Sequence, residues 1–320
     1  MNRPGKGAVC GLKIQFGGGG ASYELATMSI VTAVVDAHVH LHACYQADEL
    51  LDSAWSNLSL AHAPSDAPAQ SGTEHYPGTP VGPKPASYAY FLLMAETRHD
   101  DCFGDLRSLA LGAGAANGLQ LRAWSAAPTS EETSVVLTKG SQQLFIVGGR
   151  QVACREGLEV LVLGTTRKFT DGRPIRELLS ETDKWGVPRV IPWGPGKWLF
   201  NRGRLLNGLL EEFRKPSLFL GDEGGRPGFW GYPSHFARAA RLGVRDLPGT
   251  DPLPFAHDVH KVGRMGFCVP IVLDSARPAA SLIRSLVDPG VGFERFAKLE
   301  PPLRFVRNQI GMQLRKRRLA

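Results

Sequence analysis

The chain has 320 residues, 43% of them hydrophobic and 21% charged, with a net charge of +7. That length can bury a large core, as one barrel-sized domain or as two smaller ones. The composition excludes a disordered or collagen-like chain, and no apolar run approaches the ~20 residues of a membrane-spanning helix. Five scattered cysteines (Cys10, Cys44, Cys102, Cys154, Cys268) form no CxxC pair, which argues for reduced thiols and a cytoplasmic setting. No basic segment followed by an apolar one opens the chain, so a secretory leader is not expected.

Residues 1–27 contain Gly17-Gly18-Gly19-Gly20 and little periodicity, and are expected to form a flexible N-terminal extension. The first convincing strand follows Met28. It is an apolar, β-branched run from Val31 that reaches Asp36 and then His38, His40 and His42. In an extended chain side chains two apart share a face, which puts all four polar residues on one side. Neighbouring imidazoles with a carboxylate can grip a divalent ion, and a solvated loop is the other reading of the same spacing. Helical spacing follows from Ala47 to Trp55. Residues 63–87, rich in Pro, Gly, Ser and Ala, read as a mobile insertion. A second strand at 88–95 ends in Glu96, Arg98, His99 and Asp100. Short strands at 119–124, 134–138, 144–147 and 152–154 suggest a β-hairpin insertion over 118–155.

Residues 158–163 form a buried-strand pattern closing on Thr165, Thr166 and Arg167. A strand–helix rhythm then takes over. Helices are expected at 175–185, 204–214 and 233–242, and strands at 187–193, 217–220, 244–247 and 267–273. Further helices at 278–287 and 301–318 finish the chain, the last carrying Arg315-Lys316-Arg317-Arg318. Such a run can attract nucleic acid or an anionic membrane, but a solvated helix end is the plainer reading, so nucleic acid is not an expected partner. The alternation predicts an α/β fold, a distorted TIM-like (β/α)7-8 barrel over residues 28–300 with the β-hairpin insertion and a basic C-terminal helix over 301–320. An open doubly wound sheet is the alternative. No GxGxxG follows the first strand and there is no Walker A motif, so neither a dinucleotide nor a P-loop site is supported.

Nearly every expected strand ends in reactive residues, and in a β/α barrel those ends converge on one mouth. Asp36-Ala37-His38-Val39-His40 resembles the opening motif of the amidohydrolase-type metal hydrolases and of the PHP (polymerase and histidinol phosphatase) phosphoesterases. Both are β/α barrels with a metal cluster at that mouth. The segment Arg155 to Val160 is similar to the mid-chain PHP segment whose acid bridges metals, with Glu159 the matching position and Glu156 the alternative. Val190 to Gly196 falls where that family has a strand ending in His-Pro-Gly. Leu247-Pro248-Gly249-Thr250-Asp251 resembles its closing segment, Ser-Asp followed by Ala-His. Trp193 and Leu253 stand where histidine ligands would be, and neither can bind a metal. The resemblance therefore implies a reduced ligand set of His38, His40, Glu159 and Asp251, holding one or two ions of Zn, Mn or Fe, and it assigns His42 to a loop.

The function so implied is a metal-dependent hydrolase, of phosphoesterase or amidohydrolase type, that uses metal-activated water. Asp222 and His99 are the candidates for proton transfer. Lys197, Arg202 and Arg226 would hold a small anionic substrate beside Trp193, where glycine-rich turns let backbone N–H groups approach an anion. Turn glycines with structural tryptophans are the bland reading of the same segments. The alternative function is a PHP-like barrel that has lost catalysis and serves as a ligand-binding or scaffold protein.

Overall fold

A computed structural model describes residues 28–61 and 87–319. The extension expected over 1–27 and nearly all of the insertion expected over 63–87 lie outside the described residues. The elements in order are β1 (Met28–Val39), α1 (Ala47–Ala61), β2 (Tyr88–Met94), α2 (Cys102–Ala110), β3 (Ser125–Pro128), β4 (Ser134–Lys139), β5 (Gln142–Val147), β6 (Gly149–Ala153) and β7 (Glu159–Leu163). Then come α3 (Ile175–Asp183), β8 (Arg189–Pro192), α4 (Phe200–Glu212), β9 (Leu218–Glu223), α5 (Ser234–Arg241) and β10 (Arg245–Gly249). A 3₁₀ turn (Ala256–Lys261), β11 (Met265–Asp274), α6 (Pro278–Val287), β12 (Glu294–Ala297) and α7 (Pro302–Leu319) complete the order.

The strands form two mixed sheets, β12-β11-β1-β2-β5-β4-β3 and β10-β9-β8-β7-β6. β1, β2 and β5 run parallel, as do β8, β9 and β10. β11 is antiparallel to β1, and β7 is antiparallel to both of its neighbours. The α/β class is therefore present, but the expected closed barrel of parallel strands is replaced by two sheets. Apolar runs reveal strands without revealing their direction. A parallel return needs a crossover of a dozen or more residues, whereas Gly148 alone separates β5 from β6 and only residues 154–158 separate β6 from β7. Within the region 118–155, β3, β4 and β5 pair antiparallel in succession, β5 is also the sheet neighbour of β2, and β6 is the edge of the second sheet.

Strand alternation sorts the apolar side chains into layers. Val35, Phe91 and Phe145 of the first sheet meet Leu161, Phe219 and Leu247 of the second in a shared core. Their sequence neighbours face outward. Val34 and Leu92 pack against Leu50 and Leu58 of α1 and Phe103 of α2, while Val160 and Leu220 pack under Leu178, Leu206 and Phe236 of α3, α4 and α5. Among the described residues Cys44, Cys102, Cys154 and Cys268 are free, and no helix is long and apolar enough to cross a membrane.

The sheets adjoin along two seams. At one, Asp251 N donates to the His38 carbonyl at 2.8 Å, and a Cβ on Gly249 would stand 2.4 Å from His38 N. At the other, Glu96 bridges to Arg150, and a Cβ on Gly149 would stand 2.4 Å from the Met94 carbonyl oxygen. Backbone is in the way at both places, so only glycine permits the approach. Gly249→Ala is expected to lower stability by about 2 kcal/mol or more, read as a fall in the urea midpoint. A midpoint equal to that of the wild type would show that the first seam opens without cost.

Candidate metal centre

His38 and His40 sit two residues apart where β1 ends, and both are buried. The strand periodicity brings their rings out on one face, with the Nε2 atoms 3.0 Å apart. Asp251, just beyond β10, sets its Oδ1 3.6 Å from each of those nitrogens. One ligand atom from each of the three lies within 4.8 Å of the others. Atoms that share one tetrahedral zinc at ~2.0–2.2 Å stand roughly 3.3 Å from one another, so the observed separations bracket what one ion needs. His40 Nδ1 is buried without a hydrogen-bond partner. The donors are two imidazole nitrogens and a carboxylate oxygen, a set that suits Zn or Fe(II). Among the described residues this trio could hold a metal ion.

Asp251 adopts a φ of 46°, a left-handed conformation that costs a non-glycine residue ~1–3 kcal/mol. The seam bond to the His38 carbonyl helps to hold it there. One segment thus carries both histidines and helps fix the acid. Beneath them Asp36 is fully buried and is not a ligand. Its Oδ1 accepts from His38 N (3.2 Å) and Thr250 N (2.8 Å), and its Oδ2 from Thr250 Oγ1 (2.5 Å) and Gly263 N (2.9 Å). Burial lifts its pKa to about 6 against those four donors.

Around the trio lies a ring of further polar groups. Glu223, the last residue of β9, places Oε1 3.3 Å from His38 Nδ1, so a carboxylate behind the ring leaves Nε2 aimed at the trio. Gln151 of β6 sets Oε1 3.1 Å from His38 Nε2, and its amide donates to Glu159 Oε2 at 3.2 Å. The same Glu159 oxygen accepts from Lys197 Nζ at 2.5 Å. Glu159 reaches this mouth because β7 runs antiparallel: the strand's first residue lies here, and Thr165, Thr166 and Arg167 follow its other end.

The electrostatics follow from burying several charges together. Burial lowers the His38 pKa, but the Asp251 and Glu223 carboxylates overcome it and lift the value to about 9. Burial and the neighbouring His38 charge push His40 down to about 3. Burial would raise Asp251, yet His38, His40, Glu223 and Lys197 hold it well below the usual carboxylate range. Glu223 is pushed well above that range by burial and by the Asp251 charge. For Lys197 burial acts downward, and Glu159, Glu223 and Asp251 reverse it.

Of the expected ligands, the structure groups His38, His40 and Asp251, while Glu159 turns to Lys197 and Gln151. Glu156 caps α3 by accepting from Ile175 N at 3.1 Å. His42 leaves the strand, stacks on His40 and pairs with the Pro252 carbonyl. Asp222 and His99, expected to move protons, lie elsewhere. Phe219 faces the shared core and Leu218 and Leu220 the helix layer, so the pleat turns Glu223 inward and Asp222 outward. Both Asp222 oxygens are taken by Arg226 (2.9 and 3.0 Å), and Arg295 adds a third bond at 2.5 Å. His99 is exposed, and its Nε2 accepts from Arg98 Nε. Arg226 is thereby committed to Asp222, and Arg202 donates to the Gly196 carbonyl at 2.8 Å. That leaves Lys197, of the three expected anion holders, beside the centre. Trp193 is buried with its ring edge on Trp230, and both Leu253 backbone groups are bonded, the carbonyl to Tyr45 and the N–H to Asp258. Gln151 was not foreseen: it lies in a short strand whose placement next to β1 depends on the two-sheet topology.

No family model and no curated protein matches this chain. Among solved structures it is similar to PsfC from Pseudomonas syringae PB-5123, at 15% identity over 92% of this chain and 100% of that one, with a TM-score of 0.48. It is also similar to the lesion-specific endonuclease PfuEndoQ from Pyrococcus furiosus, at 8% identity over 83% of this chain and 58% of that one, with a TM-score of 0.44.

A metal ligated by His38 must displace the proton that this ring carries below a pKa of about 9. Zinc affinity is therefore expected to rise roughly tenfold per pH unit between about pH 6 and 8, with proton release visible by titration calorimetry in buffers of different ionisation enthalpy. An affinity independent of pH would contradict this protonation state.

Proposed function

We propose that the chain is a metal-dependent hydrolase acting on a small phosphate ester. The observation that carries this reading is the buried convergence of His38 Nε2, His40 Nε2 and Asp251 Oδ1 within 4.8 Å. Three protein ligands leave a coordination position open for water or substrate, the arrangement of catalytic rather than structural sites. A divalent ion there would supply Lewis acidity and lower the pKa of bound water. Glu223 Oε1 stands 3.3 Å from His38 Nδ1, and the Asp251 backbone conformation keeps the acid on the histidine pair.

The Lys197 ammonium, which faces the centre from the β8–α4 turn, favours an anionic substrate over a neutral amide. A small depression beside Gln151 is lined by Glu96, Thr97, Arg98, Arg150, Lys168 and Phe169. Its cations are paired, Arg98 with Asp171, Lys168 with Asp101 and Arg150 with Glu96 and Asp101, so they do not replace Arg202 and Arg226 as anion holders.

The test is turnover of p-nitrophenyl phosphate and bis(p-nitrophenyl) phosphate by protein loaded with Zn²⁺ or Mn²⁺. His40→Ala and Asp251→Asn should each lower kcat/KM roughly a hundredfold or more, and chelation should abolish activity reversibly. A protein that binds metal but turns over neither ester would be the binding protein that the non-ligating Trp193 and Leu253 favour.

A further inference from the structure

We infer that Lys197 is a resident second cation of this centre, and that its pairing with Glu159 limits the centre to one metal ion. The inference rests on the metal reading above and specifies what kind of centre it is. The Lys197 ammonium occupies the carboxylate that a second ion would need, and a second divalent ion beside it would meet a fixed positive charge.

Glu159 is the acid best placed to hold a further ion next to the trio, since Gln151 links it to His38. Its Oε2 is instead engaged at 2.5 Å by Lys197 Nζ, in a pair whose side chains are 30% and 23% exposed. The ammonium also stands within electrostatic reach of Glu223 and Asp251.

The turn that delivers Lys197 sets the path of its side chain. Lys197 N donates to the Gly194 carbonyl at 2.9 Å, and the side chain folds back over Gly194. A Cβ on Gly194 would meet Lys197 Cδ at 2.7 Å and Cε at 2.9 Å. Gly194 thus leaves the space through which the lysine stem crosses to Glu159. Removing the ammonium frees the Glu159 carboxylate, a ligand suited to a second divalent ion.

The experiment is metal stoichiometry by mass spectrometry on full-length protein loaded with excess Zn²⁺ and exhaustively dialysed, with titration calorimetry alongside. The wild type should retain one ion per chain. Lys197→Met, which keeps the apolar stem, should retain two. Gly194→Ala, which displaces the stem without deleting the charge, should gain a second, weaker event in the titration and serves if Lys197→Met fails to fold. Two ions in the wild type would overturn the inference, as would a single ion of unchanged affinity in both variants. No ion in any of the three proteins would instead remove the metal reading itself, and the inference with it.

Discussion

The centre depends on a carboxylate that never touches the proposed ion. Asp36 is fully buried, and its two oxygens collect donors from its own strand, from Thr250 and from Gly263. A buried carboxylate without partners costs several kcal/mol, so this acid is tolerable only while those three segments stay in register. That demand brings the end of β1 against the end of β10. From there the bond between Asp251 N and the His38 carbonyl sets the remaining geometry of the trio. Asp36 looks like a member of the ligand motif in the sequence; in the fold it is the anchor on which the ligands are mounted.

Charge economy explains the layer around the trio. His40 is kept neutral by burial and by its neighbour, whereas the acids on either side favour a proton on His38. The metal-free centre therefore holds a cation on the ring that a metal would claim. Glu223 stands behind that ring, and Lys197, held by Glu159, lies within electrostatic reach of Glu223 and Asp251. Groups that would not bind the ion thus set the electrostatics in which the trio sits.

Much of this was legible in the linear chain. The β-branched run into alternating histidines located β1 and its ligand face, and the Pro-Gly-Thr-Asp segment located Asp251. Most helices followed from their apolar spacing, although α2 did not, and neither did the short strand β12. Strand direction was hidden, because the period of two is identical for parallel and antiparallel strands. Glu159 was consequently placed by resemblance, and the reason it faces the mouth emerged only from the reversal of β7. The choice between Asp222 and Glu223 failed for a related cause. Every residue from Leu218 to Glu223 is buried on one side or the other, so the alternation that separates an inner from an outer face was masked. Arg226 and Arg202 resembled free anion holders although their partners, Asp222 and the Gly196 carbonyl, lie close by in sequence, because the loop conformation that pairs them leaves no mark in the residue pattern.

The seam between β1 and β10 also bears on when the centre can exist during synthesis. Its histidines are made early and its acid more than 200 positions later, as the Asp36–Thr250 and Asp36–Gly263 bonds measure directly. A nascent chain that has emerged only as far as β9 carries the two histidines but not Asp251, and so lacks the complete trio. Such distant closure is entropically slow, and an ion that binds only the closed form adds its free energy at that last step. Metal supply would thus act as a late checkpoint on the maturation of this fold, separating chains that have completed the β1–β10 seam from chains that have merely collapsed.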